Sequence, residues 1–270
     1  MKKKLINLAS TVFPQLFTKI AYDKLINPQV RKLRENELAV LSQARQEDYA
    51  FQNFQIKVYT WGEQGEEVLL IHGWEGQAGN FSDLVQKLRA KQYKVIAFDA
   101  PSHGFSSKGE TSLLEFSALV GNLIRRYQVK KLISHSFGGV ATTYALYNNQ
   151  DLEIDKYVML TTPDRFQERI DNVVQQIGIS DKVKKQLINQ LEAENNFKVE
   201  TLNVSDFVKV IRVKQSLIIH DKNDRVIPIQ QSLHVHQNWG VSNFQTVEGT
   251  GHFRILRTEK VLDAVADFLG

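Results

Sequence analysis

The chain has 270 residues, 42% hydrophobic and 24% charged, with a formal net charge of +4, a globular composition with room for one large α/β domain or two small ones. It has no cysteine, which excludes disulfides and thiolate metal sites, and its basic excess is spread among acidic residues, which argues against nucleic acid as a partner. No window holds the roughly 20 apolar residues of a spanning helix, and a cytoplasmic location is expected.

Lys2, Lys3 and Lys4 open the chain as an export signal would, but Asn7, Pro14, Gln15 and Lys19 interrupt the apolar run, and no small-x-small cleavage site follows. Leu5, Leu8, Val12, Leu16 and Ile20 recur at helical spacing, with Phe13 and Phe17 beside them. Packing on the domain's own surface is the expectation for this stripe. The alternatives are weak contact with an anionic membrane surface or with a second copy of the chain. Asn27-Pro28 breaks the pattern, and Val30 to Ala44 reads as a second helix, rich in Arg, Lys and Glu. Residues 1–50 are thus expected as a helical extension ahead of a main domain, 51–270.

Phe54, Ile56, Val58 and Thr60 alternate with polar residues as in a half-buried strand. Val68 to Ile71 is a continuous apolar run, the form of a strand buried on both faces. It ends at His72-Gly73-Trp74-Glu75-Gly76, and a helix is expected from Asn80 with Phe81, Leu84, Val85 and Leu88 on one face. This glycine turn has neither the Walker nor the dinucleotide spacing. What remains for it is donation of backbone N–H groups to an anion, with Trp74 the candidate donor. His72 is expected to be structural. The next strand, Lys94 to Phe98, runs into the polar loop Asp99 to Ser106, at the end of the strand where open α/β sheets bind ligands. Asp99 and His103 are expected to shape that loop rather than to react. A helical stripe follows from Leu113 to Tyr127.

Lys131 to Ile133 then leads into Ser134-His135-Ser136-Phe137-Gly138-Gly139, with a helix from Val140. Strand, tight turn with a hydroxyl at its apex, helix: this is the order of a nucleophile elbow, with Ser134 in place of the usual first glycine. The plainer alternative makes Ser136 a helix N-cap. After a strand at Tyr157 to Leu160, Phe166, Ile170, Val173 and Ile177 mark one amphipathic helix, ended by Gly178. Val183, Leu187 and Leu191 mark a second, capped by Ser180 or Asp181. About 164–206 is expected as a small helical lid, or alternatively a plain surface insertion. Phe166, Ile170, Val173 and Phe197 are candidate substrate-binding residues for an apolar pocket, and core packing explains them as well. Ser216 to Ile219 is a strand ending in a turn that holds Asp221 and Asp224, with Pro228 four residues beyond the latter. Asn243 to Val247 is the last strand, followed by Gly251-His252 and a helix from Arg257.

Ser136, Asp224 and His252 come in that order, each after a predicted strand. With the turn His72-Gly73-Trp74, the loop Asp99-Ala100-Pro101-Ser102-His103-Gly104-Phe105-Ser106, the Asp224–Pro228 spacing and Gly251-His252, the chain from about residue 51 onward resembles the α/β-hydrolase superfamily. Its departures are Ser134 at the elbow and Ser102 where the loop often has glycine. The resemblance implies a mostly parallel central sheet flanked by helices, with the lid inserted and the helical extension preceding it. It also implies a serine hydrolase acting on a carboxylic ester or related small-molecule acyl substrate, with no cofactor and no metal. Ser136 would be the nucleophile, His252 the base and Asp224 its orienting acid, with Asp221 the rival acid. The backbone N–H groups of Trp74 and Phe137 would form the oxyanion hole. The same scaffold also serves thioesterases, carbon–carbon hydrolases and cofactor-free haloperoxidases, and a non-catalytic or membrane-peripheral binding protein is a further alternative.

Overall fold

Among the described residues, 2–270 of this computed structural model, eight strands form one sheet in the order β1-β2-β4-β3-β5-β6-β7-β8. Met1, inside the expected extension, lies outside the described residues. The strands are β1 (Arg45–Phe51), β2 (Phe54–Trp61), β3 (Glu67–Ile71), β4 (Lys94–Phe98), β5 (Lys131–His135), β6 (Glu153–Leu160), β7 (Arg212–Asp221) and β8 (Ser242–Val247). β1 pairs antiparallel with β2, and β2 antiparallel with β4; the remaining neighbours are parallel. Parallel strands demand crossovers, and these crossovers cover both faces of the sheet. The apolar runs of β3 and β4 are accordingly buried along most of their length, and so is all of β5, whose sequence is more polar.

The chain divides into two compact units, residues 29–164 with 204–270, and residues 1–28 with 165–203. The first holds the sheet and the helices α3 (Glu35–Ser42), α4 (Ser82–Ala90), α5 (Leu113–Tyr127) and α6 (Phe137–Asn148). It also holds α9 (Val204–Phe207), α10 (Ile229–Gln237), α11 (Gly251–Arg254) and α12 (Glu259–Leu269). Leu84, Val85 and Leu88 of α4 share one apolar cluster with Val68 and Leu70 of β3, Val95 and Ala97 of β4, and Val261, Val265 and Leu269 of α12. Val40 and Leu41 of α3 belong to the same cluster, and the indole N–H of Trp61 donates to the Val40 carbonyl at 2.9 Å.

Residues 29–50 therefore depart from the expected helical extension. The helix covers only 35–42, because Glu37 reaches back to accept the Arg34 N–H at 2.7 Å, the reciprocal bond of a capping box. Residues 45–51 are an edge strand with charged outer positions, and they hairpin onto β2 through Gln52 at φ +49°.

The second unit contains α1 (Lys2–Val12), α2 (Pro14–Ile26), α7 (Phe166–Ile177) and α8 (Asp181–Asn195). α2 packs on α7 and α8. Gly178 ends α7 at φ +85°, a left-handed cap where glycine carries no Cβ penalty. The faces that α1 and α2 bury include Ser10, Thr18, Ala21 and Leu25; Ser10 Oγ accepts the Ser180 N–H at 2.9 Å, and Thr18 Oγ1 lies 3.1 Å from Gln186 Oε1. The stripe Leu5, Leu8, Val12, Leu16 and Ile20 is 42–65% exposed and lies outside what the helical unit itself buries. Among the described residues no helix is long and apolar enough to cross a membrane.

Candidate active site

The sheet's topology gathers loops from β5, β7 and β8 at their carboxyl ends, and Ser136 stands at the first of these. It follows β5 directly and adopts φ +53°, ψ −125°, a conformation an L-residue occupies only under strain. Small neighbours make the turn possible. A Cβ on Gly138 would collide with the carbonyl oxygens of Ile71 and His72, and one on Gly139 with the Thr162 side chain. Ser134, in the usual glycine position, is fully buried; its hydroxyl is 2.9 Å from the Tyr157 hydroxyl, so the extra polar atom is satisfied. Ser102, the other departure, sits at φ +67°, which explains why that position favours glycine. Ser136 starts α6 without making a side-chain capping bond, so the N-cap alternative does not describe it.

The Ser136 hydroxyl lies 3.0 Å from His252 Nε2, and His252 Nδ1 lies 2.8 Å from Asp224 Oδ2. With Nδ1 facing a carboxylate, the proton sits there and Nε2 is left to accept from the serine. Burial alone would raise the Asp224 carboxyl. The bonds from His252 and from the Ile227 and Val226 N–H groups outweigh it and hold the group below the usual carboxylate range. Asp221 is engaged elsewhere. Its Oδ2 takes the Gly251 N–H at 2.9 Å and the Thr250 hydroxyl at 2.8 Å, and its Oδ1 takes the Asn223 N–H at 2.8 Å. It fixes the loop that carries His252.

The other polar residues of the motifs brace the loops. His72 Nδ1 donates to the Gly73 carbonyl at 2.7 Å and its Nε2 accepts the Ala100 N–H at 2.9 Å; burial lowers its pKa to about 4. Asp99 accepts the N–H groups of Ala78 and Phe105, both at 2.8 Å, and burial pushes its carboxyl upward. His103 bonds the Pro101 carbonyl and the Glu75 N–H. These are the structural roles expected for them.

Trp74 and Phe137 meet at the elbow. Their rings lie 5.4 Å apart edge to face, and a Cβ on Gly73 would come within 3.1 Å of Ser136 Cβ and 3.5 Å of the Phe137 nitrogen. The backbone before Trp74 thus runs alongside the serine.

A cavity of about 300 Å³ opens at Ser136 and His252. Its walls include Gly73, Trp74, His135 and Phe253, together with Arg31, Lys32, Arg34 and Arg257. Sequence reasoning missed these last six residues. His135, between Ser134 and Ser136, could have been found as the variable position of the elbow pattern; it bonds the His252 carbonyl at 2.8 Å, and burial lowers its pKa to about 3. The segment 29–34 was masked by its resemblance to a charged helix. The candidate pocket residues Phe166, Ile170 and Val173 are buried in the helical unit, where Phe166 packs edge to face on Phe197 at 6.4 Å.

A family model described as alpha/beta hydrolase fold matches residues 67–186. A human serine hydrolase-like protein is 30% identical over 115 residues, 40% of this chain and 56% of that one. A pimeloyl-[acyl-carrier protein] methyl ester esterase of Stenotrophomonas maltophilia is 34% identical over 82 residues, 30% of this chain and 31% of that one. The matched stretch thus spans little more than half of the first relative and a third of the second. An esterase from Exiguobacterium antarcticum superposes with a TM-score of 0.66 at 17% identity, covering 82% of this chain and 98% of its own. By its sheet order and by these matches, the chain has the α/β-hydrolase fold.

Proposed function

We propose that the chain is a serine hydrolase of carboxylic esters or related acyl substrates. The observation that carries this is the chain of bonds from Ser136 through His252 to Asp224, opening on a cavity. A neutral hydroxyl is a poor nucleophile, so the Ser136 proton passes to His252 Nε2 as Oγ attacks the carbonyl carbon. Asp224 holds the imidazole in the accepting tautomer and stabilises the imidazolium. The tetrahedral oxyanion is held by the backbone N–H groups of Trp74 and Phe137, a donor being worth roughly 3–4 kcal/mol at such sites. His252 returns the proton to the leaving alcohol, and water, deprotonated by the same imidazole, releases the acid. The names borne by the similar proteins, serine hydrolase-like protein and methyl ester esterase, agree with this chemistry.

The cavity is at the small end of the range for ligand pockets, which favours short acyl groups. A series of p-nitrophenyl esters of graded chain length tests the proposal, with Ser136→Ala as control and a fluorophosphonate as label. The expected outcome is turnover of short esters and labelling of Ser136, both lost in the variant while its circular dichroism is unchanged. Equal turnover by the two proteins would refute the nucleophile.

A further inference from the structure

The floor of the cavity carries no charge besides what His252 takes up in turnover, because burial keeps His72 and His135 neutral. Its rim is different. Arg31, Lys32, Arg34 and Arg257 line it, against two carboxylates, Glu37 and Glu75. Glu37 is committed to Arg34, at 2.9 Å from the guanidinium, and to the Arg34 N–H and the Asn80 amide. Glu75 is exposed and accepts the Gln29 N–H at 3.3 Å. Among the described residues Arg31, Lys32 and Arg257 have no carboxylate within ion-pair distance.

The segment that presents two of these cations is held in place. The buried Gln77 side chain donates to the Arg31 carbonyl at 2.6 Å, and the Arg31 guanidinium lies 5.4 Å over the ring of Phe253, the residue after His252. Three cations without a carboxylate partner around a concave opening concentrate positive potential there.

We propose that Arg31, Lys32 and Arg257 form an anion subsite, and that the substrate carries a carboxylate or phosphate at a distance from its scissile carbonyl. This rests on the hydrolase reading, and the experiment separates the two. In the acyl arm, the p-nitrophenyl monoester of glutaric acid is compared with p-nitrophenyl pentanoate. In the alcohol arm, the butyryl ester of glycerol 3-phosphate is compared with monobutyrin. In one arm kcat/KM favours the anionic member by about tenfold, as for a charge-assisted contact, and about 0.5 M salt erodes the preference. Arg257→Gln and the double variant Arg31→Gln/Lys32→Gln bring the ratio toward one, and Arg257→Lys restores it. A ratio of one or less in both arms, or a preference that neither glutamine variant moves, overturns the subsite. Calorimetry with glutarate and with glycerol 3-phosphate on Ser136→Ala reads the subsite without turnover. Binding that weakens in the glutamine variants supports it, and no binding of either anion overturns it. Absence of turnover with all four esters, with anion binding intact, overturns the hydrolase reading alone.

Discussion

Ser136 pays for its position in backbone strain. At φ +53°, ψ −125° a non-glycine residue costs roughly 1–3 kcal/mol, whereas glycine's extra freedom in the unfolded chain costs only about 0.4–1 kcal/mol. Ser136→Gly is therefore expected to melt at a higher temperature than Ser136→Ala, both inactive; calorimetry of the pair checks this, and equal melting temperatures would remove the strain. The buried histidines set acid sensitivity. His135 and His72 titrate near 3 and near 4 in the fold, against about 6.5 unfolded. From pH 6.5 downward the unfolded state takes up protons the folded state refuses, so stability falls by about 1.4 kcal/mol per pH unit for each histidine. Asp224 and Asp221 are depressed instead; their contribution is present above the ordinary carboxylate range and is lost only as pH falls below it. His135→Gln removes one of the histidine titrations. Urea midpoints should show its deficit relative to the parent shrinking between pH 7 and pH 5, and a constant deficit would contradict the assignment. The turn at Ser136 was legible in sequence because strained turns admit few residue types. His135 and the rim cations were not, since nothing local in an Arg-Lys-Leu-Arg run says which way it faces.

At the scale of elements, buried apolar strands announced themselves. β3 and β4 begin within a residue of the runs that predicted them, and β6 and β7 extend several residues before theirs, as polar positions that the sheet nonetheless pairs. β1 escaped because an edge strand needs no apolar alternation; its charged residues face water, and tertiary pairing with β2 decides its state. Helix ends were legible where a cap fixed them, as at Gly178, and illegible where a side chain reached back, as at Glu37. The join where the helical insertion leaves the main unit is also built from side chains. Asp164 Oδ1 accepts the Ser205 N–H at 2.8 Å, its carbonyl accepts the Val204 N–H at 2.9 Å, and His234 Nδ1 donates to its Oδ2 at 2.6 Å. Asp164→Ala orphans a buried N–H and is expected to cost about 1–3 kcal/mol, with Asp164→Asn milder. Chemical denaturation of the two variants checks the ranking.

For the whole molecule, the division into units changes where the chain can be cut. Removing residues 1–50 would take away β1 and the core residues Val40 and Leu41. Removing 1–28 strips only α1 and α2 from the helical unit. Hydrogen exchange of that truncation should show 166–195 losing protection while β3 to β7 keep theirs; protection unchanged in 166–195 would mean that unit stands without its first two helices. The same arrangement reverses the order of synthesis and assembly. α2 leaves the ribosome on the order of ten seconds before α8 is complete, so its partner face waits through the making of most of the sheet. A nascent chain arrested near residue 150 would already contain β1 to β5 and yet hold its leading segment unclaimed, a natural substrate for whatever shields emerging polypeptides.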